Sequence, residues 1–225
     1  MENLIKVHDS KNGIVKNGEV YALGKALKES GYAMRTNIDE NEEFEKMIKR
    51  GNKLGSCPAG SGHCNYLLGI IVRMDVTFTN KVWVEAERYH WFDITTSQST
   101  MHRITKFDLD KSYIKYVDRI IINRMKELVG EYNIIEDNLK NATDKDDILR
   151  LSEQKKEKYL NILYSNPAGF TLTAGISTNY LQLKTMVTQR YNHRLPEWHE
   201  FVKWCFNLPY FELLTGLSRD KYVIK

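Results

Sequence analysis

Between Lys111 and Asn141 the side chains Tyr113, Tyr116, Val117, Ile120, Ile121, Met125 and Leu128 recur at helical intervals, and Ile148 to Tyr164 repeats the pattern. Two long helices are therefore predicted. The Asn141-Ala142-Thr143-Asp144 break separates them, with Thr143 or Asp144 as N-cap candidate, since a short oxygen-bearing side chain can accept from free N–H groups of a first turn. Upstream, Val72-Arg73-Met74-Asp75-Val76-Thr77-Phe78-Thr79 alternates apolar and polar residues, which predicts a half-buried strand. Long helices and an alternating strand together describe an α/β chain.

The remaining punctuation is local. Lys11-Asn12-Gly13 and Lys16-Asn17-Gly18 are turn signals, predicting a β-hairpin that leads into a helix from Tyr21 to Ser30, capped by Gly31. Glu42 to Arg50 has helical spacing and is expected to stop at Gly51. Gly51 to Gly62 holds Gly51, Gly55, Gly60, Gly62 and Pro58 and is expected to be a loop near a ligand or in tight turns. Lys81 to His90 can be helical, although Val82, Trp83 and Val84 blunt that reading.

At 225 residues a single domain spanning 1–225 is expected. Net charge is +4, with 33 basic residues interleaved among 29 acidic ones, which suits a small anionic ligand better than a nucleic-acid polymer. No apolar run approaches the ~18 to 20 residues of a membrane span, so no membrane partner is expected. The start Met1-Glu2-Asn3-Leu4-Ile5-Lys6 lacks a signal-peptide core, and three cysteines, Cys57, Cys64 and Cys205, cannot all pair. A cytoplasmic location is the simplest expectation. Neither a Ser-His-Asp or Cys-His nucleophile pattern nor a Gly-x4-Gly-Lys phosphate loop is legible. Cys57-x5-His63-Cys64 lacks a second ligand pair, and no metal is expected.

Pro167 to Trp198 carries the densest pattern. Asn179, Gln182, Thr185 and Gln189 fall three to four residues apart and share one helical face, with Arg190 next to Gln189 at its edge, while Leu181, Leu183, Met186 and Val187 can supply the buried side. The block resembles the last block of the flavin-dependent thymidylate synthases: Pro, an aromatic-rich strand, Thr-x-Asn-x-Arg, an apolar turn, then Leu-Arg and Trp-Glu. Pro167, Thr178-Asn179 and Arg190 fall on it, and Glu197-Trp198 falls close. A second segment follows in the right order. Met47-Ile48-Lys49-Arg50-Gly51 resembles the Leu-Ile-Lys-Arg-Gly lead-in, His63 stands where a flavin-contacting His is placed, and Arg88-Tyr89-His90 follows at the spacing of an Arg-His-Arg motif. Thr95 to Arg103 stands where the family has Ser, Asn-Glu and Ser-x-Arg.

The resemblance covers roughly residues 20 to 205 and implies the family's fold, a central antiparallel or mixed sheet with long helices. It implies one-carbon transfer to C5 of a pyrimidine deoxynucleotide, dUMP, with FAD, NADPH and methylenetetrahydrofolate, in a homotetramer. By the same resemblance Arg190 contacts the uracil ring as the catalytic residue. His63, Arg88, His90 and Asn179 hold the cofactor, and Ser97, Gln98, Ser99 and Arg103 hold the nucleotide phosphate. Arg88 and His90 would face one way on a strand and diverge on a helix. Tyr89, Trp91 and Phe92 can stack on a ring or belong to the core.

Leu181, Thr185, His90 and Leu163 replace polar or cationic groups of the family pattern. Two other expectations follow from those changes. One is folate-dependent hydroxymethylation of a pyrimidine nucleotide without hydride transfer, and the other is a nucleotide-binding protein without chemistry.

Overall fold

Three helices start at a side chain that accepts hydrogen bonds from their own first turn. In the computed structural model, which describes residues 4–223, Asp118 accepts from the Ile120 N–H, Asp144 from those of Asp146 and Asp147, and Asn179 from that of Gln182. These caps fix where the helices begin. In chain order the elements are β1 (Ile5–Val7), β2 (Val15–Tyr21), α1 (Leu23–Glu29), α2 (Phe44–Gly55), β3 (Ile71–Thr79), α3 (Asn80–Ala86), β4 (Asp93–Ser97) and α4 (Thr100–Arg103). The helices α5 (Arg119–Asn141) and α6 (Lys145–Ser165) follow, then β5 (Thr171–Asn179), α7 (Tyr180–Arg190), α8 (Pro196–Cys205), α9 (Phe211–Thr215) and α10 (Arg219–Tyr222).

The five strands form one sheet in the order β1-β2-β3-β5-β4. The β1–β2 and β2–β3 pairs are antiparallel, with Ile5 opposite Val20 and Val20 opposite Val72. On β3 the alternation holds: Val72, Met74, Val76 and Phe78 are buried while Arg73 is exposed.

The chain divides into two compact units. The first comprises Met1–Thr77, Val84–Thr96 and Thr173–Lys225, and the second Phe78–Trp83 and Ser97–Leu172. In the first, α1, α2, α7, α8 and α9 pack around Leu27, Leu67, Tyr180, Phe201 and Phe211, which are nearly or fully buried. In the second, α5 and α6 form an antiparallel hairpin in which Glu131 meets Lys158 and Glu136 meets Lys155. Ile104, Tyr113, Met125, Ile162 and Phe170 form its core.

Three expectations are corrected. Helix α2 runs through Gly51 to Gly55, because the two glycines are where neighbouring chain comes too close for a side chain. A Cβ on Gly55 would lie 1.7 Å from the Leu214 carbonyl oxygen, and one on Gly51 would lie 2.8 Å from Leu27. Helix α5 begins at Arg119 rather than near Lys111, since residues 108–117 instead hydrogen-bond toward Gly169 and Thr171. Helix α3 ends at Ala86, leaving Arg88 and His90 in a turn and on neither a strand nor a helix.

Candidate active site

Asn179 ends β5 and caps α7, and its side chain is used there: Oδ1 accepts from Gln182 N at 2.9 Å, and the residue is buried. This cap sets where α7 begins. The expected polar face of α7 is also divided. Gln182 and Lys184 are buried, Gln189 is exposed, and Thr185 Oγ1 donates back to the Leu181 carbonyl at 3.2 Å.

Arg190 closes α7 and is held on three sides. Its Nε donates to Tyr89 Oη at 2.7 Å, and Nη1 donates to Glu85 Oε2 at 2.9 Å. The guanidinium carbon lies 4.9 Å from the Trp198 ring centroid and 5.3 Å from that of Tyr89. Glu85 Oε2 also receives Trp198 Nε1 at 3.1 Å and faces His193 Nε2 at 3.3 Å. Burial pushes the Tyr89 phenol up against the opposing pull of Arg190, so its proton stays and is donated to Gln189 Oε1 at 2.9 Å. The result is a stacked, ion-paired arginine whose Nη2 is not used in these bonds. Such a donor is preorganised for a carbonyl oxygen or another electron-rich atom.

His63 lies exposed beyond the end of α2, between Gly62 and buried Cys64. The segment before it is tied down by Lys184, whose buried Nζ donates to Gly55 O at 2.5 Å and Cys57 O at 2.8 Å. Burial pulls the Lys184 pKa below its ordinary value. Arg88 and His90 are exposed in the turn after α3, with the His90 ring 5.2 Å from that of Trp91. Trp91 is partly exposed, whereas Phe92 is buried against Phe201 at 5.7 Å and belongs to the core. Arg88 and His63 take part in no ion pair among the described residues, which leaves a cation and a ring free for an anionic cofactor.

In the second unit, Gln98, Ser99 and Arg103 line a cleft of about 330 Å³ together with Lys106 and Phe107. Ser97 ends β4 beside it, exposed and outside the lining. Two expected phosphate-binding side chains, Gln98 and Ser99, thus meet Arg103 at one concavity. Sequence reading missed Glu85 and Lys184 as supports. Nothing in the sequence around Glu85 ties it to Arg190, and nothing in a charged residue between Leu183 and Thr185 marks Lys184 as buried.

Among the described residues no group of three His, Cys, Asp or Glu side chains could hold a metal ion, and no helix is long and apolar enough to cross a membrane.

No protein-family model and no curated protein matches the sequence. Solved structures do. The chain is similar to the flavin-dependent thymidylate synthase ThyX from Helicobacter pylori complexed with FAD and dUMP, with a TM-score of 0.60 and 14% identity over 99% of this chain and 100% of that one. A second structure of the Helicobacter pylori enzyme with FAD and dUMP gives a TM-score of 0.56 and 14% identity over 98% of each chain. At that identity the likeness is one of fold: the chain has the α/β fold of flavin-dependent thymidylate synthase along nearly its whole length.

Proposed function

We propose that this protein binds a pyrimidine deoxynucleotide and transfers one carbon to C5 of its base, with FAD as cofactor, methylenetetrahydrofolate as carbon donor and NADPH as reductant, in the cytoplasm and as a homotetramer. The observation that carries the reading is Arg190, fixed by Glu85 and Tyr89 with Nη2 left over. A guanidinium held this way meets a pyrimidine carbonyl without first being ordered, and stabilises negative charge that develops there as C5 becomes nucleophilic. Ser99 and Arg103, with Ser97 and Gln98, take the nucleotide phosphate. His63, Arg88, His90 and Asn179 would hold FAD, which would supply a hydride once reduced by NADPH; Asn179 also sets the start of α7.

One observation favours a second reading, hydroxymethylation without hydride transfer. Leu181 is apolar and buried, and the Thr185 hydroxyl is spent on the Leu181 carbonyl, so neither offers a flavin a polar group. Product mass separates the two: incubation with dUMP, methylenetetrahydrofolate, FAD and NADPH is expected to add a methyl group. A hydroxymethyl product formed without FAD would instead establish the second reading, and absence of any product with retained nucleotide binding would leave a binding protein.

A further inference from the structure

The larger cleft of the helical unit, about 500 Å³, lies where the Thr100–Lys106 segment faces the α5–α6 hairpin. Its rim brings together His102, Arg103, Lys106, Lys155 and Lys156, against one carboxylate, Glu136. That imbalance is local. Elsewhere on the same two helices the cations are matched by acids, as in Arg124 with Glu127 and Glu131, Arg150 with Asp147, and Lys158 with Glu131.

Glu136 in the lining is shared by Lys155 at 2.9 Å and Lys106 at 3.4 Å, which line the cleft with it, and by Lys140, outside the lining, at 3.8 Å. One negative charge therefore gathers three ammonium groups that would otherwise repel one another. Arg103, His102 and Lys156 take part in no ion pair among the described residues. The lining also carries apolar surface: Met101 and Leu160 are exposed, and Tyr159 is fixed by donation from Oη to the Met101 carbonyl at 3.0 Å. Lys106 and Arg103 also line the smaller cleft of Gln98 and Ser99, so the two concavities share a wall.

We infer that this larger cleft is a second anion site that takes a contiguous phosphate chain, carried by a nucleoside di- or triphosphate or by free polyphosphate. Three point charges and a planar guanidinium in one concavity match several adjacent phosphate groups better than a single monoanion. Met101, Tyr159 and Leu160 in the lining offer a surface for a base or sugar. The inference uses none of the residues around Arg190 and shares only Arg103 with the phosphate site of the pyrimidine reading, whereas Lys155 and Lys156 line the larger cleft alone.

Calorimetric titration of the full chain with inorganic tripolyphosphate, near physiological salt, tests it. Saturable binding, one ligand per chain, is expected. Lys156→Gln, a change at an exposed and unpaired side chain, should weaken it on the order of tenfold, with an unchanged unfolding temperature. Lys155→Gln with Lys156→Gln should weaken it further, while Lys81→Gln, an exposed lysine outside the cleft, should leave it unchanged. A nucleoside triphosphate that binds more tightly than tripolyphosphate identifies a nucleotide as the occupant; equal affinity identifies the phosphate chain alone. The inference is overturned if tripolyphosphate does not saturate, if a triglutamate peptide binds more tightly, or if Lys81→Gln weakens binding as much as Lys156→Gln.

Discussion

The carboxylate of Glu85 lies 2.9 Å from Nη1 of Arg190, although 105 residues separate them. The pair joins the end of α3 to the end of α7 within one unit, and Trp198 completes it by donating to the same carboxylate oxygen at 3.1 Å. An arginine so placed has little rotamer freedom left to lose when a ligand arrives.

Replacing Arg190 should therefore separate catalysis from folding. Arg190→Ala is expected to lower one-carbon transfer on the order of a hundredfold or more, as for loss of a preorganised donor. Arg190→Lys should recover little, because an ammonium cannot donate to Glu85 and Tyr89 in the same fork. Steady-state kinetics with far-UV circular dichroism checks both. Normal turnover by Arg190→Ala would remove this residue from the site.

Glu85→Gln leaves size unchanged but removes the charge that faces Arg190 and His193. A loss of about 1 to 3 kcal/mol in urea unfolding is expected, with weaker nucleotide binding. A variant as stable as the parent that binds nucleotide equally well would show that Glu85 does not position Arg190.

Two glycine substitutions should act in opposite directions. Gly55→Ala places a methyl group 1.7 Å from the Leu214 carbonyl oxygen, so α2 must shift from α9, at a cost of about 3 kcal/mol or more. Gly130→Ala, within α5 with nothing inside 4 Å of the added carbon, should gain about 0.5 to 1 kcal/mol. Denaturant midpoints report both.

Glu136 makes the helical hairpin acid-sensitive. Lys155 above all, then Lys106, holds its carboxyl down to about 2 from an ordinary 4.5. Because the folded value lies below the unfolded one, this stability is present above pH 4.5 and is lost as pH falls from there toward 2. Glu136→Gln should flatten that limb of the stability curve. An unchanged acid limb would mean that the lysines do not act on Glu136 in solution.

How much of this was legible follows from the range of each interaction. The α5–α6 pair, the alternation on β3, and the cap at Asp144 are local, and the sequence reading of each agrees with the structure. Gly51 and Gly55 misled because glycine is also the residue that lets two segments touch, and Leu214 lies far along the chain. The late start of α5 follows from the pairing of Tyr113 with Phe170, which periodicity around Tyr113 does not reveal. Arg190 stood out through resemblance, but the partners that hold it, Glu85 and Tyr89, are about a hundred residues away, and no local spacing ties either to it. Lys184 is hidden for the same reason: its carbonyl partners, Gly55 and Cys57, lie 129 and 127 residues back.

The visible absorbance spectrum of the purified protein, recorded with FAD and then with added dUMP, tests the proposed chemistry most directly. A bound-flavin spectrum that dUMP perturbs, and that loses this response in Arg190→Ala, is the predicted result. A protein that binds neither FAD nor a pyrimidine deoxynucleotide would contradict it, leaving the fold without the reaction.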